Sequence, residues 1–426
     1  MKEYKKRIAD SILEDKLEAM GAVLIEGAKY CGKTTLASQH ASSILYMADP
    51  ETKEQNLAIS NTNISLLLKG KTPRLIDEWQ IAPKLWDAVR NEIDKRGEEG
   101  QFILTGSSVP VSTEDIYHSG TGRFGWLKLR TMSLWESGES SGDVSLHSLF
   151  EGEKDVSAIN ELDLSDIAFL ICRGGWPSAS LKTNQKAALI QATEYYEAVV
   201  RFDVSRADNV ERNPENVRRF MRSYARNQGT QVSAQLLLED LLVNESDTIS
   251  INTIYSYIGA LQKIFVIEDC AAWNPNLRSK TSIRTADTRY FTDPSIGTAA
   301  LGLGPNDLIN DLRTYGFLFE ALCIRDLRVY ADALGGNIYH YRDKSNLECD
   351  AVIHLRNGLY GLVEIKIGGS EAIESAAKTL KNLAEKIDYD RMKRPSFLMV
   401  LTAVGKYAYR RPEDDILVVP IGCLKN

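Results

Sequence analysis

Gly27-Ala28-Lys29-Tyr30-Cys31-Gly32-Lys33-Thr34 is a complete G-x-x-x-x-G-K-T pattern, and its flanks decide what it means. Ahead of it runs the apolar Ala22-Val23-Leu24-Ile25; behind it Thr35-Leu36-Ala37-Ser38-Gln39 favours a helix. A strand that feeds such a turn into a helix lets backbone N–H groups face a phosphate, and the helix N-terminus adds partial positive charge. In that context Gly27, Ala28, Lys29, Tyr30, Cys31, Gly32, Lys33, Thr34 and Thr35 form a phosphate-binding loop. Lys33 then reaches the β- and γ-phosphates, and the Thr34 hydroxyl takes one position on Mg²⁺. A glycine turn before an ordinary helix is the plainer alternative, and the strand–loop–helix context weighs against it. The pattern implies a nucleoside triphosphate as ligand, with Mg²⁺ beside Thr34.

The 426 residues exceed what one core organises, so two or three domains are expected. Hydrophobic content of 43% and charged content of 26% fit a globular protein rather than a disordered or fibrous one. A net charge of −7 excludes a global basic field, so contact with nucleic acid would need a local patch. Six scattered cysteines (Cys31, Cys172, Cys270, Cys323, Cys349, Cys423) show no C-x-x-C pair, which suggests reduced thiols rather than a disulfide framework. No apolar run approaches a membrane span and no leader-like segment opens the chain, so a cytoplasmic location without membrane partners is expected.

Alternating short strands and helices up to about residue 150 argue for an α/β unit built on a parallel sheet, with strands near 22–26, 43–48, 74–77, 102–105 and 126–129. The Ser/Gly-rich 137–142 and the acidic 151–165 mark a linker. Residues 151–310 read as mainly helical. There, helices starting near Ser233 and Ser250, followed by a strand-like 264–267, have the order of a winged helix-turn-helix, or of a helical lid on the first domain. Arg218, Arg219, Arg222 and Arg226 form a basic stripe at helical spacing, and Lys280, Arg284 and Arg289 lie near the wing. They suit phosphate contact or a plain solvated face, and nearby Glu211 and Glu215 favour the latter. Residues 311–426 read as a separate α/β unit, with helices near 315–330 and 372–386 and strands near 338–341, 351–355, 359–365, 397–401 and 416–420.

Hydrolysis needs acids beyond the loop. Arg74-Leu75-Ile76-Asp77-Glu78 supplies a strand on which Asp77 holds Mg²⁺ and Glu78 orients the attacking water. Phe102-Ile103-Leu104-Thr105-Gly106-Ser107 ends another strand with small polar groups, of which Thr105 or Ser107 can sense the γ-phosphate. Arg123, on the glycine-rich Ser119-Gly120-Thr121-Gly122, suits an arginine finger, acting on a neighbour's nucleotide in a homo-oligomer. With Ile76-Asp77-Glu78-Trp79-Gln80-Ile81-Ala82-Pro83-Lys84-Leu85-Trp86, these residues resemble a group of prokaryotic AAA-type ATPases whose ATPase module is fused to a C-terminal domain of unknown function. Gly174-Gly175-Trp176-Pro177 and Arg201-Phe202-Asp203-Val204 look like landmarks of the same family, so the resemblance covers nearly the whole chain. It implies an AAA-like α/β fold and ATP with Mg²⁺.

Near the C-terminus, Asn357-Gly358 joins two apolar runs. A two-residue loop would put Glu364 on the face of Ile353 and Leu355. A three-residue loop, Arg356-Asn357-Gly358, pairs Leu355 with Leu359 and Ala351 with Val363, which makes one face apolar and sets Glu348, Asp350, Glu364 and Lys366 on the other. Asp350, Glu364 and Lys366 then resemble the Asp…(Asp/Glu)-x-Lys signature of the restriction-endonuclease-like superfamily. Glu320 fits the extra acid from a preceding helix, and Arg342 a phosphate contact. The resemblance implies carboxylates on Mg²⁺ and a lysine beside the water; the plainer alternative is an exposed cross-strand ion pair. Two functions follow: an ATPase coupled to a nuclease-like domain acting on nucleic acid, DNA rather than RNA, or an ATP-dependent switch whose C-terminal domain binds a partner or DNA without cutting.

Overall fold

Strands that are apolar on both sides must be covered on both sides, and in this chain five of them pair in parallel. The computed structural model describes residues 4–108, 117–242, 249–275 and 286–426. The chain divides into two compact units: Met1–Thr131 with Phe202–Glu211 and Ala260–Val266, and Met132–Arg201 with Arg212–Gly259 and Ile267–Asn426.

In the first unit, β1 (Ala22–Glu26), β2 (Ser43–Tyr46), β3 (Arg74–Asp77), β4 (Phe102–Gly106) and β5 (Phe124–Lys128) form a sheet of order β2-β3-β4-β1-β5, parallel throughout. Alternation along the strands feeds two cores. Ala22, Leu24, Ile76, Phe102 and Leu104 join Trp79, Trp86 and Phe124 on one face; Val23, Ile25, Leu75 and Ile103 meet Leu13, Leu36 and Ala37 on the other. Helix α1 (Ile8–Ala19) and helix α2 (Lys33–His40) supply the second set, and the helix Leu85–Arg96 brings Trp86, stacked at 3.9 Å on Phe124, to the first.

In the second unit, β6 (Val144–Ser145) pairs in parallel with β14 (Leu424–Lys425). A seven-stranded sheet has the order β7-β12-β13-β11-β10-β9-β8, built from β7 (Ala158–Ile159), β8 (Gly336–Arg342), β9 (Glu348–Leu355), β10 (Tyr360–Lys366), β11 (Phe397–Thr402), β12 (Tyr407–Arg410) and β13 (Leu417–Pro420). The helix Ser370–Lys386 covers the face of Val352, Leu362 and Val400, and the helix Leu312–Ala333 packs on β8, β9 and β10.

These pairings differ from the expected linker at 137–165. Ser133 and Glu136 form a capping box on the short helix Leu134–Ser137, and the Ser140 hydroxyl donates to the Leu424 carbonyl at 2.7 Å. The Ser/Gly composition there is turn and cap chemistry, and the first stretch of the first compact unit runs to Thr131. The strand-like 264–267 is also corrected. Phe265 has φ 58°, its N–H donates to Gln262 O, and Val266 N–H donates to Leu261 O. This is the Schellman geometry that closes the helix Ile251–Lys263, with phenylalanine in the left-handed place usually given to glycine. Only Ile267 goes on to an isolated antiparallel bridge, with Phe291, and a second bridge joins Cys270 to Thr288. Lys280 and Arg284 lie outside the described residues. All six cysteines are buried and unbridged, and among the described residues no helix is long and apolar enough to cross a membrane.

Leu104 is fully buried between β1 and β3. Leu104→Ala is expected to lower stability by about 2–5 kcal/mol, measured as a shift in urea midpoint at constant slope.

Candidate functional site

The Gly27–Thr34 turn leaves β1 in a shape that glycine alone permits. Gly27 has φ 154°, and a Cβ there would lie 2.1 Å from the Leu129 carbonyl; Gly32 has φ 104° as it enters α2. Tyr30 is left-handed at 61° and exposed. Arg7, buried, braces the turn by donating from Nη1 to Cys31 O at 3.1 Å and from Nη2 to Arg130 O at 3.0 Å. The Cys31 thiol donates to Leu129 O at 3.3 Å. Lys33 Nζ folds back on Gly27 O and Ala28 O at 2.9 and 2.8 Å, while Lys29 Nζ pairs with Asp203 Oδ1. Thr35 is exposed on the first turn of α2.

Parallel pairing brings the ends of β3 and β4 to the same edge. Asp77 Oδ1 accepts from Thr34 Oγ1 at 2.7 Å and from Thr105 Oγ1 at 2.6 Å. Glu78 Oε2 accepts from Ser107 Oγ at 3.1 Å and from Gln80 Nε2. The two polar groups offered by β4 are thus divided, Thr105 to Asp77 and Ser107 to Glu78. The Thr34 hydroxyl and the Asp77 carboxylate converge closely enough to share one cation, so this donor set fits Mg²⁺. Arg123 stays apart from these groups. Its carbonyl accepts from Ala22 N, at the starting end of β1, one five-residue strand (about 15 Å) from the loop. Its guanidinium pairs with Asp94 at 2.8 Å and holds that carboxyl below its ordinary range.

The β9–β10 hairpin has the three-residue register, Ala351 opposite Val363 and Ile353 opposite Gly361, with Gly358 at φ 81°. Lys366 Nζ lies 2.7 Å from Glu364 Oε2 and 3.1 Å from Asp350 Oδ2. Asp350 Oδ2 also accepts from the Ile365 backbone N–H at 2.7 Å. On the other edge of β9, Tyr341 faces Cys349 and Tyr339 faces Val352, so Asp350 and Ala351 together oppose His340 in a bulge. Glu348, next to the bulge, is exposed and pairs with Arg342 at 2.8 Å. Glu320 accepts from the Tyr290 hydroxyl. Burial, reinforced by the Asp350 charge, pushes Glu320 and Glu364 up to about 8 each. Among the described residues no group of three or more His, Cys, Asp or Glu has the arrangement of a metal-binding cluster. The arginine stripe is largely engaged: Arg218 with Glu197, Arg219 with Leu241 O, Arg226 near Asp240 at 3.9 Å, and Arg289 with Asp269.

Residues 20–137 match the family model described as "AAA domain". Most of that match, residues 20–131, lies in the first unit. Residues 164–307 and 315–424 match two models described as "Domain of unknown function", DUF8612 and DUF4143. No curated protein matches the chain. Among solved structures, the Walker-type ATPase PABY2304 of Pyrococcus abyssi is 16% identical with a TM-score of 0.42, over 70% of this chain and 96% of that one. A signal transduction ATPase with numerous domains, the tetratricopeptide-sensor protein PH0952 of Pyrococcus horikoshii, is 13% identical with a TM-score of 0.26, over 78% of this chain and 53% of that one.

Two residues that hold the Gly27–Thr34 loop escape a sequence reading. Arg7 sits in a basic run that looks like surface charge, yet its guanidinium is buried against loop carbonyls. Asp203 lies 174 residues from its partner Lys29, and the Arg201-Phe202-Asp203-Val204 landmark was its only signal.

Glu320 and Glu364 hold their protons in the folded chain up to about 8, whereas unfolded carboxyls release theirs near 4.5. Between these values the folded state binds more protons, so stability present at low pH is lost as pH rises. Above about pH 6.5, where the buried His340 and half-buried His354 no longer offset the effect, the melting temperature is expected to fall toward pH 8, with a shallower fall in Glu364→Gln.

Proposed function

We propose that this chain binds MgATP in its AAA domain and hydrolyses it. The observation that carries the reading is the convergence of Lys33, Thr34, Asp77 and Glu78 on one sheet edge, linked by direct hydrogen bonds from Thr34, Thr105 and Ser107. The loop N–H groups and the α2 N-terminus bind the phosphates, and Lys33 exchanges its loop carbonyls for phosphate oxygens. Thr34 and Asp77 hold Mg²⁺, which when bound neutralises charge on the β- and γ-oxygens. Glu78 accepts a proton from the water whose oxygen attacks the γ-phosphorus, and ADP departs. Arg123, committed to Asp94 far from its own loop, acts on the nucleotide of a second copy, which requires at least a dimer.

Lys33→Ala is expected to abolish binding of a fluorescent ATP analogue. Glu78→Gln is expected to retain binding and lose turnover by about 100-fold or more. Unchanged turnover in Glu78→Gln removes that residue from the chemistry.

A second reading concerns the C-terminal unit as a metal-dependent nuclease of the restriction-endonuclease-like type. Glu364 Oε1 favours it: this oxygen is buried with no hydrogen-bond partner, while Oε2 and Asp350 share Lys366. Asp350 and Glu364 would hold Mg²⁺, which polarises the phosphate and activates water, with Glu320 contributing beside them. Incubation with plasmid and linear DNA plus Mg²⁺ or Mn²⁺ should give nicking that Lys366→Ala loses. ATP turnover without cleavage under any metal instead indicates an ATP-controlled switch that docks a partner or DNA.

A further inference from the structure

We propose that Gln80 is the positioning residue for Glu78, and that position 106 is glycine so that Gln80 can reach it. The inference deepens the hydrolysis reading and rests on it. Glu78 stands at φ 57° and ψ 47°, a left-handed backbone that side chains of this length rarely adopt. That turn starts the short helix Trp79–Ile81, whose Trp79 is buried in the core beside Trp86 at 5.1 Å. With the turn anchored there, Gln80 is presented to the end of β4. Its Nε2 donates to Glu78 Oε2, the oxygen that also accepts from Ser107.

A carboxylate attracts the NH₂ end of an amide and repels its carbonyl, so Gln80 Oε1 must face away. There it is buried without a hydrogen-bond partner. A Cβ on Gly106 would fall 3.0 Å from that oxygen and 3.2 Å from Trp79 Nε1. A strained backbone, an orphaned acceptor and a strand residue reduced to glycine therefore meet around one side chain. Local costs gathered in this way mark a group held for its chemistry. Two donors on Oε2 fix the carboxylate's rotation and leave its other oxygen for the water.

Gln80→Met keeps the side chain's length and removes the amide. Nucleotide affinity is expected to stay within about twofold while kcat falls about tenfold or more, the split that misplacement of a catalytic group produces. Gly106→Ala should reproduce the loss without adding to it. In single-turnover measurements on a Glu78→Gln background, Gln80→Met should cost nothing further, because the residue acts through Glu78. Should the methionine variant fail to fold, Gln80→Asn, one methylene short of Glu78, is read in the same assays with the same expectation. Wild-type kcat in Gln80→Met, or an equal further loss in the Glu78→Gln background, overturns the inference while leaving hydrolysis intact. Wild-type turnover in Glu78→Gln alone removes the reading beneath it.

Discussion

Parallel pairing of β1, β3 and β4 is the constraint from which the first unit's site follows. Strands running the same way finish on the same edge, and whatever their last residues carry is gathered there. Because β4 lies beside β3, the hydroxyls at its end reach the acids where that strand finishes: Thr105 touches Asp77, which also holds Thr34 from the loop, and Ser107 touches Glu78. The sheet can supply such an edge only because both of its faces are dry, Leu24 and Leu104 against the tryptophans, Ile25 and Ile103 against Leu13 and Leu36. The apolar residues position the polar ones without touching any ligand.

The second unit reaches a polar cluster by another route. Its sheet is mixed, and β9 and β10 meet as a hairpin whose buried faces leave one register open. A bulge at Asp350 and Ala351 then breaks the alternation, and Glu348 beside it pairs with Arg342. What remains is two carboxylates on one lysine, with Glu320 and its tyrosine partner from neighbouring elements. Burial raises both glutamates, so this cluster gains ionised oxygens only where a cation or a higher pH compensates their desolvation.

Where the chain's physics is local, its sequence was readable. The apolar run before Gly27, the glycines of the loop and the hairpin turn at Gly358 each impose their geometry within a few residues, and the described strands β1 and β3 have the expected limits. Misreadings arose where something outside the segment itself decides. Isoleucine, phenylalanine and valine at 264–266 have strand propensity, but the preceding helix uses them as its cap. Val144–Ser145 and Ala158–Ile159 are too short to signal strands and exist because Leu424–Lys425 and Tyr407–Arg410 pair with them. Asp350, Glu364 and Lys366 could be placed together from the hairpin alone; the pairing of Glu348 with Arg342 could not, since it depends on β8. Arg7 carried no signal at all, because burial of a guanidinium against carbonyls leaves no mark on periodicity.

Lys29 belongs to the loop that would grip a triphosphate, and Asp203 closes a π-helical turn, Val199–Asp203, encoded far downstream. An ion pair between them makes the conformation of one a thermodynamic variable of the other. Any event that pulls Asp203 away alters the charge that phosphate meets at the loop, and phosphate claiming Lys29 weakens the hold on that turn by the same free energy. If the proposed function holds, a residue well outside the matched AAA segment thereby shares in how Lys29 meets a phosphate.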